Sequence, residues 1–83
     1  MHITVRYFAS IREAIGTGSE SCETVATDLA GLRAMLSLRS PAHAEALARG
    51  RAVRMAINQV MCQESATLLD GAEVAFFPPV TGG

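Results

Sequence analysis

AEVAFFPPVTGG (72–83) decides how the rest of the chain must fold. Ala72, Val74 and Phe76 alternate with Glu73, Ala75 and Phe77, the period-two signature of a strand with one buried face. Pro78-Pro79 ends it, because proline has no N–H to give to a ladder. A single apolar strand cannot stand alone, so its partners lie upstream. HITVRYF (2–8) offers the same alternation, with Ile3, Val5 and Tyr7 on one face and His2, Thr4, Arg6 and Phe8 on the other.

Between these two strands the pattern changes period. ASIREAI (9–15) reads as a short helical turn closed by Gly16 and Gly18. SCETVA (21–26) reads as a weaker strand. Asp28 is placed to cap a main helix over 29–39, with Leu29, Leu32, Leu36 and Met35 on one stripe. Gly31 costs that helix about 1 kcal/mol against Ala, so sheet packing must hold it. Ser40 followed by Pro41 signals an N-cap and first helical residue, opening a second short helix over 42–50 closed by Gly50. AVRMAIN (52–58) alternates again, Asn58-Gln59 turns the chain, VMCQ (60–63) returns, and Asp70-Gly71 turns it into the last strand.

The predicted architecture is therefore α+β: a mixed sheet rolled against one main helix on one face. The 83 residues allow one domain with one modest core, and 49% hydrophobic content predicts folding rather than disorder. Residues 1–77 form the expected domain and 78–83 an extended, flexible C-terminal tail.

Composition excludes several functions. A net charge of −1 with scattered acids and bases gives no footprint for nucleic acid or a membrane surface. No apolar run reaches membrane-spanning length, and the N-terminus lacks a secretion signal, so a cytoplasmic location is expected. Cys22 and Cys62 form no CxxC, and His2 and His43 show no ligand spacing; neither metal nor disulfide is expected. There is no Gly-rich phosphate loop, nucleophile elbow or HExxH helix. The pairs Glu20/Glu23 and Asp70/Glu73 read as solvated surface, as do both histidines. All seven basic residues are arginine. Compositional bias explains this simply; the other explanation is avoidance of amines that would attack an activated carboxyl group.

With side-chain catalysis unsupported, the tail remains. Two glycines in the last two positions occur in about 0.5% of chains of average composition. Pro78-Pro79 stiffens the exit, and six extended residues reach at most about 20 Å. Without Cβ atoms, Gly82 and Gly83 pass a narrow channel. The group so delivered is the α-carboxylate of Gly83. Adenylation makes it an acyl donor, and sulfide then converts it to a thiocarboxylate. Phe8 and Phe77 both point away from the core side, so adjacent first and last strands form an exposed aromatic patch. Arg12 supplies a polar rim and Met61 an extension.

MHITVRYFASIREAIG (1–16), INQ (57–59) before a short strand, and above all LLDGAEVAFFPPVTGG (68–83) resemble the small subunit of molybdopterin synthase. The likeness covers nearly the whole chain and is loosest over residues 20–50. It implies a ubiquitin-like β-grasp fold. It also implies that Gly83 is adenylated by an E1-like enzyme using ATP, with no cofactor bound by the chain itself, and receives sulfur from a donor protein. The tail, Pro78, Pro79, Val80, Thr81, Gly82 and Gly83, then enters the large subunit, whose residues supply the acid–base catalysis. Sulfur passes there to cyclic pyranopterin monophosphate in a complex of two small and two large subunits. Family contacts to the large subunit match Phe8, Arg12, Met61 and Phe77. A bare Gly-Gly end is shared with carriers for thiamine or tRNA thiolation and with ubiquitin-like modifiers; FFPPVTGG argues against the other carriers. A plain interaction module with an inert tail is the remaining class.

Overall fold

A computed structural model describes residues 1–48 and 50–79. The expected tail residues Val80, Thr81, Gly82 and Gly83 lie outside the described residues. The elements are β1 (His2–Tyr7), α1 (Ala9–Ile15), β2 (Ser19–Glu23), α2 (Leu29–Ser37), α3 (Pro41–Leu47), β3 (Arg54–Ile57), β4 (Val60–Cys62) and β5 (Glu73–Phe77). The sheet order is β2-β1-β5-β3-β4, with β1 and β5 parallel at the centre and every other pairing antiparallel. The first and last strands are thus neighbours, as the aromatic patch requires.

The inner face carries the core. Ile3, Val5, Tyr7, Val74 and Phe76 are all 0–1% exposed. They pack with Leu29, Leu32 and Leu36 of α2 and with Ala46 and Leu47 of α3. α2 obeys its caps: the Asp28 carboxylate accepts from the Gly31 N–H at 2.8 Å. Gly31 also has a local reason. A Cβ there would meet Ala26 Cβ and Asp28 Oδ1 at 3.2 Å, so the residue that weakens the helix also lets the cap close. No helix among the described residues is long and apolar enough to cross a membrane.

Several boundaries differ from the sequence reading; β3, for one, starts at Arg54 rather than Ala52. β2 runs over 19–23 rather than 21–26, because its register is set by β1: Ile3 pairs with Cys22 and Arg6 with Ser19. Thr24 then leaves the ladder, its hydroxyl accepting from the Ala26 N–H at 3.0 Å. α3 ends at Leu47, not at Gly50. Its last carbonyls are capped from a distance by Arg33 of α2, which is only 6% exposed. Arg33 Nε donates to Leu47 O at 2.8 Å, and Nη2 donates to Ala48 O at 2.7 Å and to Arg51 O at 3.0 Å. A glycine stop is unnecessary when a guanidinium takes those acceptors. α2 itself stops at Ser37, leaving Leu38 exposed.

The turns follow the sequence. Asn58 (φ 49°) and Gln59 (φ 69°) both adopt left-handed backbone, the geometry of a two-residue hairpin. At Asp70-Gly71, Gly71 has φ 83°, and the Asp70 carboxylate accepts from the His2 N–H at 2.7 Å. That bond fixes the entry to β5 against the start of β1.

Candidate functional site

Period-two alternation carries a second set of side chains to the outer face of the sheet. Strand pairing aligns Ser19, Arg6, Ala75, Ala56 and Met61 in one row from β2 to β4. One step toward the exit of β5, Phe77 lies opposite Arg54. Phe8 continues β1 past the Tyr7–Phe76 pair, its N–H donating to Phe76 O at 3.1 Å. Phe8 and Phe77 therefore end the two central strands side by side.

The exposures suit an interface. Phe8 is 41% and Met61 56% exposed, and Phe77 is half-buried. Small Ala75 and Ala56 separate Phe77 from Met61, leaving a shallow apolar strip between larger side chains. Arg6 lies over the Phe8 ring, 5.6 Å from its centroid, and holds that ring in place. The chain swings into α1 at Ala9, a non-glycine residue with φ 51°. This left-handed turn costs on the order of 1 kcal/mol and takes the chain off the sheet directly after Phe8.

Of the four partner-contact residues read from the sequence, three share this face: Phe8, Phe77 and Met61. Arg12 sits one turn into α1, exposed, its backbone N–H donating to Phe8 O at 3.3 Å. Its side chain lies along Gly18, where a Cβ would meet Arg12 Nε at 3.1 Å. It belongs to the rim beside Phe8 rather than to the apolar strip. Pro78 and Pro79 follow β5 directly, half-buried and without regular structure. The remaining tail positions, Gly83 included, lie outside the described residues.

The inner face holds a polar cluster that the sequence reading placed in solvent. Antiparallel pairing puts Glu20 opposite Val5, and so on the core side. Tyr7 OH donates to Glu20 Oε2 at 2.9 Å, and His43 Nε2 lies 2.9 Å from the same oxygen. Arg39 contacts the other carboxylate oxygen. His43 Nδ1 lies 2.8 Å from Ser40 Oγ, the N-cap hydroxyl of α3. The correction covers Glu20 and His43, whose side chains are 16% and 12% exposed; Glu23 and His2 stay exposed and meet each other at 2.9 Å. The signal for Glu20 was present: an inward Cys22 makes residue 20 inward too.

This cluster is a clasp, not an acid–base pair. Burial and the adjacent Glu20 carboxylate push the Tyr7 hydroxyl far above its ordinary value. For Glu20, burial acts upward, yet hydrogen bonds from His43 and Tyr7 and the charge of Arg39 outweigh it and hold the carboxyl below its ordinary range. Both groups move away from neutrality, the reverse of what proton transfer needs. Burial also raises the Cys22 thiol, which keeps it protonated and inert. Cys22 and Cys62 are both free.

A mixed sheet with helices on one face, and with its last strand at the centre running parallel to the first, is a ubiquitin-like β-grasp domain. More particularly, the chain belongs to the ThiS family, which matches residues 5–83. It is 40% identical over 81 residues to the molybdopterin synthase sulfur carrier subunit of Escherichia coli (strain K12), covering 98% of this chain and 99% of that protein. It resembles a chain in the protein–protein complex of subunits 1 and 2 of molybdopterin-converting factor from Helicobacter pylori 26695, at 28% identity and TM-score 0.67, over 100% of both chains. In fold it also matches small archaeal modifier protein 1 from Methanosarcina acetivorans, with TM-score 0.79 at 23% identity over 99% of this chain and 96% of that one.

Proposed function

We propose that this chain is the sulfur-carrier subunit of a molybdopterin synthase, acting in the cytoplasm. The observation that carries the proposal is the register of β5. It sets Phe77 next to Phe8 on the outer face, and the chain leaves β5 at that same end through Pro78-Pro79. A partner seated on the patch receives the tail as well. The E. coli relative is named for sulfur carriage, and the H. pylori neighbour comes from a two-subunit complex.

The chemistry runs through Gly83. A carboxylate oxygen attacks the α-phosphorus of ATP on an E1-like enzyme, pyrophosphate leaves, and an acyl adenylate forms. Sulfur at the sulfide level, delivered by a donor protein, displaces AMP and leaves a thiocarboxylate. That soft nucleophile enters the large subunit and passes its sulfur to cyclic pyranopterin monophosphate. Two such transfers complete the dithiolene, in an assembly of two small and two large subunits. ATP is consumed on the activating enzyme, and the carrier binds no cofactor of its own.

Deletion of Gly83 tests this reading. Incubation of the parent chain with activating enzyme, ATP and sulfur donor replaces one oxygen by sulfur, which intact-mass spectrometry resolves. The deletion variant gains no sulfur, supports no transfer and melts with the parent. Transfer at the parent rate would overturn the proposal. A ladder of protein conjugates would instead mark a ubiquitin-like modifier, and sulfur delivery only to thiamine or tRNA thiolation a carrier of another pathway.

A further inference from the structure

The arginines fall into two groups. Among the described residues, Arg6 lies 4.0 Å from Glu73, Arg33 is buried against Glu64, Arg39 meets Glu20, and Arg51 lies 3.7 Å from Glu45. Neither Arg12 nor Arg54 has an ion-pair partner among the described residues. Arg12 is laid along Gly18. Arg54 is exposed at the first position of β3, in register with Phe77.

Its surroundings give that position meaning. Along the outer face the charge changes sign. Glu23, Glu73 and the Asp70 turn lie toward the start of β1 and β5, whereas Phe8, Phe77 and Arg54 lie where β5 exits. A partner covering Phe77 must also cover or closely approach Arg54. A guanidinium taken out of water there, with five donors and no carboxylate partner among the described residues, is costly unless the partner supplies an acceptor. Arginine is also among the side chains enriched where binding energy concentrates.

We infer that Arg54 sets partner specificity at this face: the protein that takes the tail presents an Asp or Glu carboxylate to the Arg54 guanidinium, beside its seat for Phe77. This rests on the docking reading above and adds a contact absent from the set Phe8, Arg12, Met61 and Phe77. The carboxylate selects against otherwise similar β-grasp domains with an apolar or acidic side chain at this register position, since unpaired or like charges then meet at the interface.

The test measures affinity of the purified large subunit for the parent chain, Arg54→Ala, Arg54→Glu and Phe77→Ala. Titrations run at about 0.1 M and about 1 M NaCl, where the screening length falls from roughly 10 Å to 3 Å. At the lower salt Arg54→Ala binds about tenfold more weakly and Arg54→Glu about a hundredfold, and both deficits shrink at the higher salt. Arg54→Glu binding as tightly as the parent at low salt overturns the inference. So does an Arg54→Glu deficit no larger than that of Arg54→Ala, which marks a shape contact rather than a charge pair. Phe77→Ala separates the two levels. If it weakens binding while Arg54→Glu does not, only the Arg54 inference falls; if it too leaves binding unchanged, the docking face itself is wrong. Thermal melts establish that each variant is folded, and Arg54→Ala keeps the test open should charge reversal loosen β3.

Discussion

Phe76 and Phe77 are adjacent in sequence and opposite in circumstance. Phe76 is 0% exposed, stacked on Tyr7 with ring centroids 6.2 Å apart and packed within the helix-covered core. Phe77 is half-buried on the outer face beside Phe8 and Arg54. The same division holds across the central strands. Inward residues of β1 and β5 are apolar and sealed, and even the inward charge of Glu20 on β2 is matched by Tyr7, His43 and Arg39. Outward residues mix an apolar strip with charges and, buried Ala56 apart, keep surface in solvent. Apolar area on the inner face drives folding. The outer strip keeps much of its area in water and so adds little to folding; recognition accounts for its being there.

Truncating each phenylalanine separates these roles. Phe76→Ala leaves a cavity under α2 and α3 and should cost about 3–5 kcal/mol of unfolding free energy, a large part of the stability of a domain this size. Chemical denaturation measures it. The surviving folded fraction should still bind the large subunit once unfolded chain is subtracted. Phe77→Ala should reverse the pattern, with unfolding free energy changed by no more than about 1 kcal/mol and large-subunit affinity reduced by about 2 kcal/mol. If Phe77→Ala instead unfolds the chain as readily as Phe76→Ala, the two faces do not differ as described and Phe77 is core.

What the sequence revealed follows the same division. Alternation in 2–8 and 72–77 exposed the central strands and sorted Phe8 and Phe77 onto the outer side, because period two is a local property. Asp28, Ser40, Asn58-Gln59 and Asp70-Gly71 were legible for the same reason: a cap or turn is written within four residues. Features built from distant partners were not. The strand itself was read at SCETVA, but SESCE is too polar to mark its bounds, and β1 sets its register. The end of α3 depends on Arg33, fourteen residues before Leu47. Glu20 and His43 meet across 23 positions, and no spacing rule links them. Arg54 lies in a stretch read as alternating, but its place opposite Phe77 comes only from strand pairing.

The smallest expected effect concerns the inner clasp and shows how sealed that face is. Glu20→Gln preserves shape but removes the charge that Arg39 and His43 meet. It should cost about 1 kcal/mol at neutral pH and leave large-subunit affinity unchanged. Its pH dependence carries the sign. The folded-state Glu20 carboxyl titrates below its unfolded value, so its stabilisation is present above that value, about 4.3 for a free glutamate. It is lost as pH falls through the lower, folded value. Melting temperatures followed down through the carboxylate range should therefore show the parent losing more stability than Glu20→Gln, until the two curves converge in acid. Parallel curves would mean that Glu20 is solvated after all. The Tyr7 end of the inner face would then be closed by packing alone.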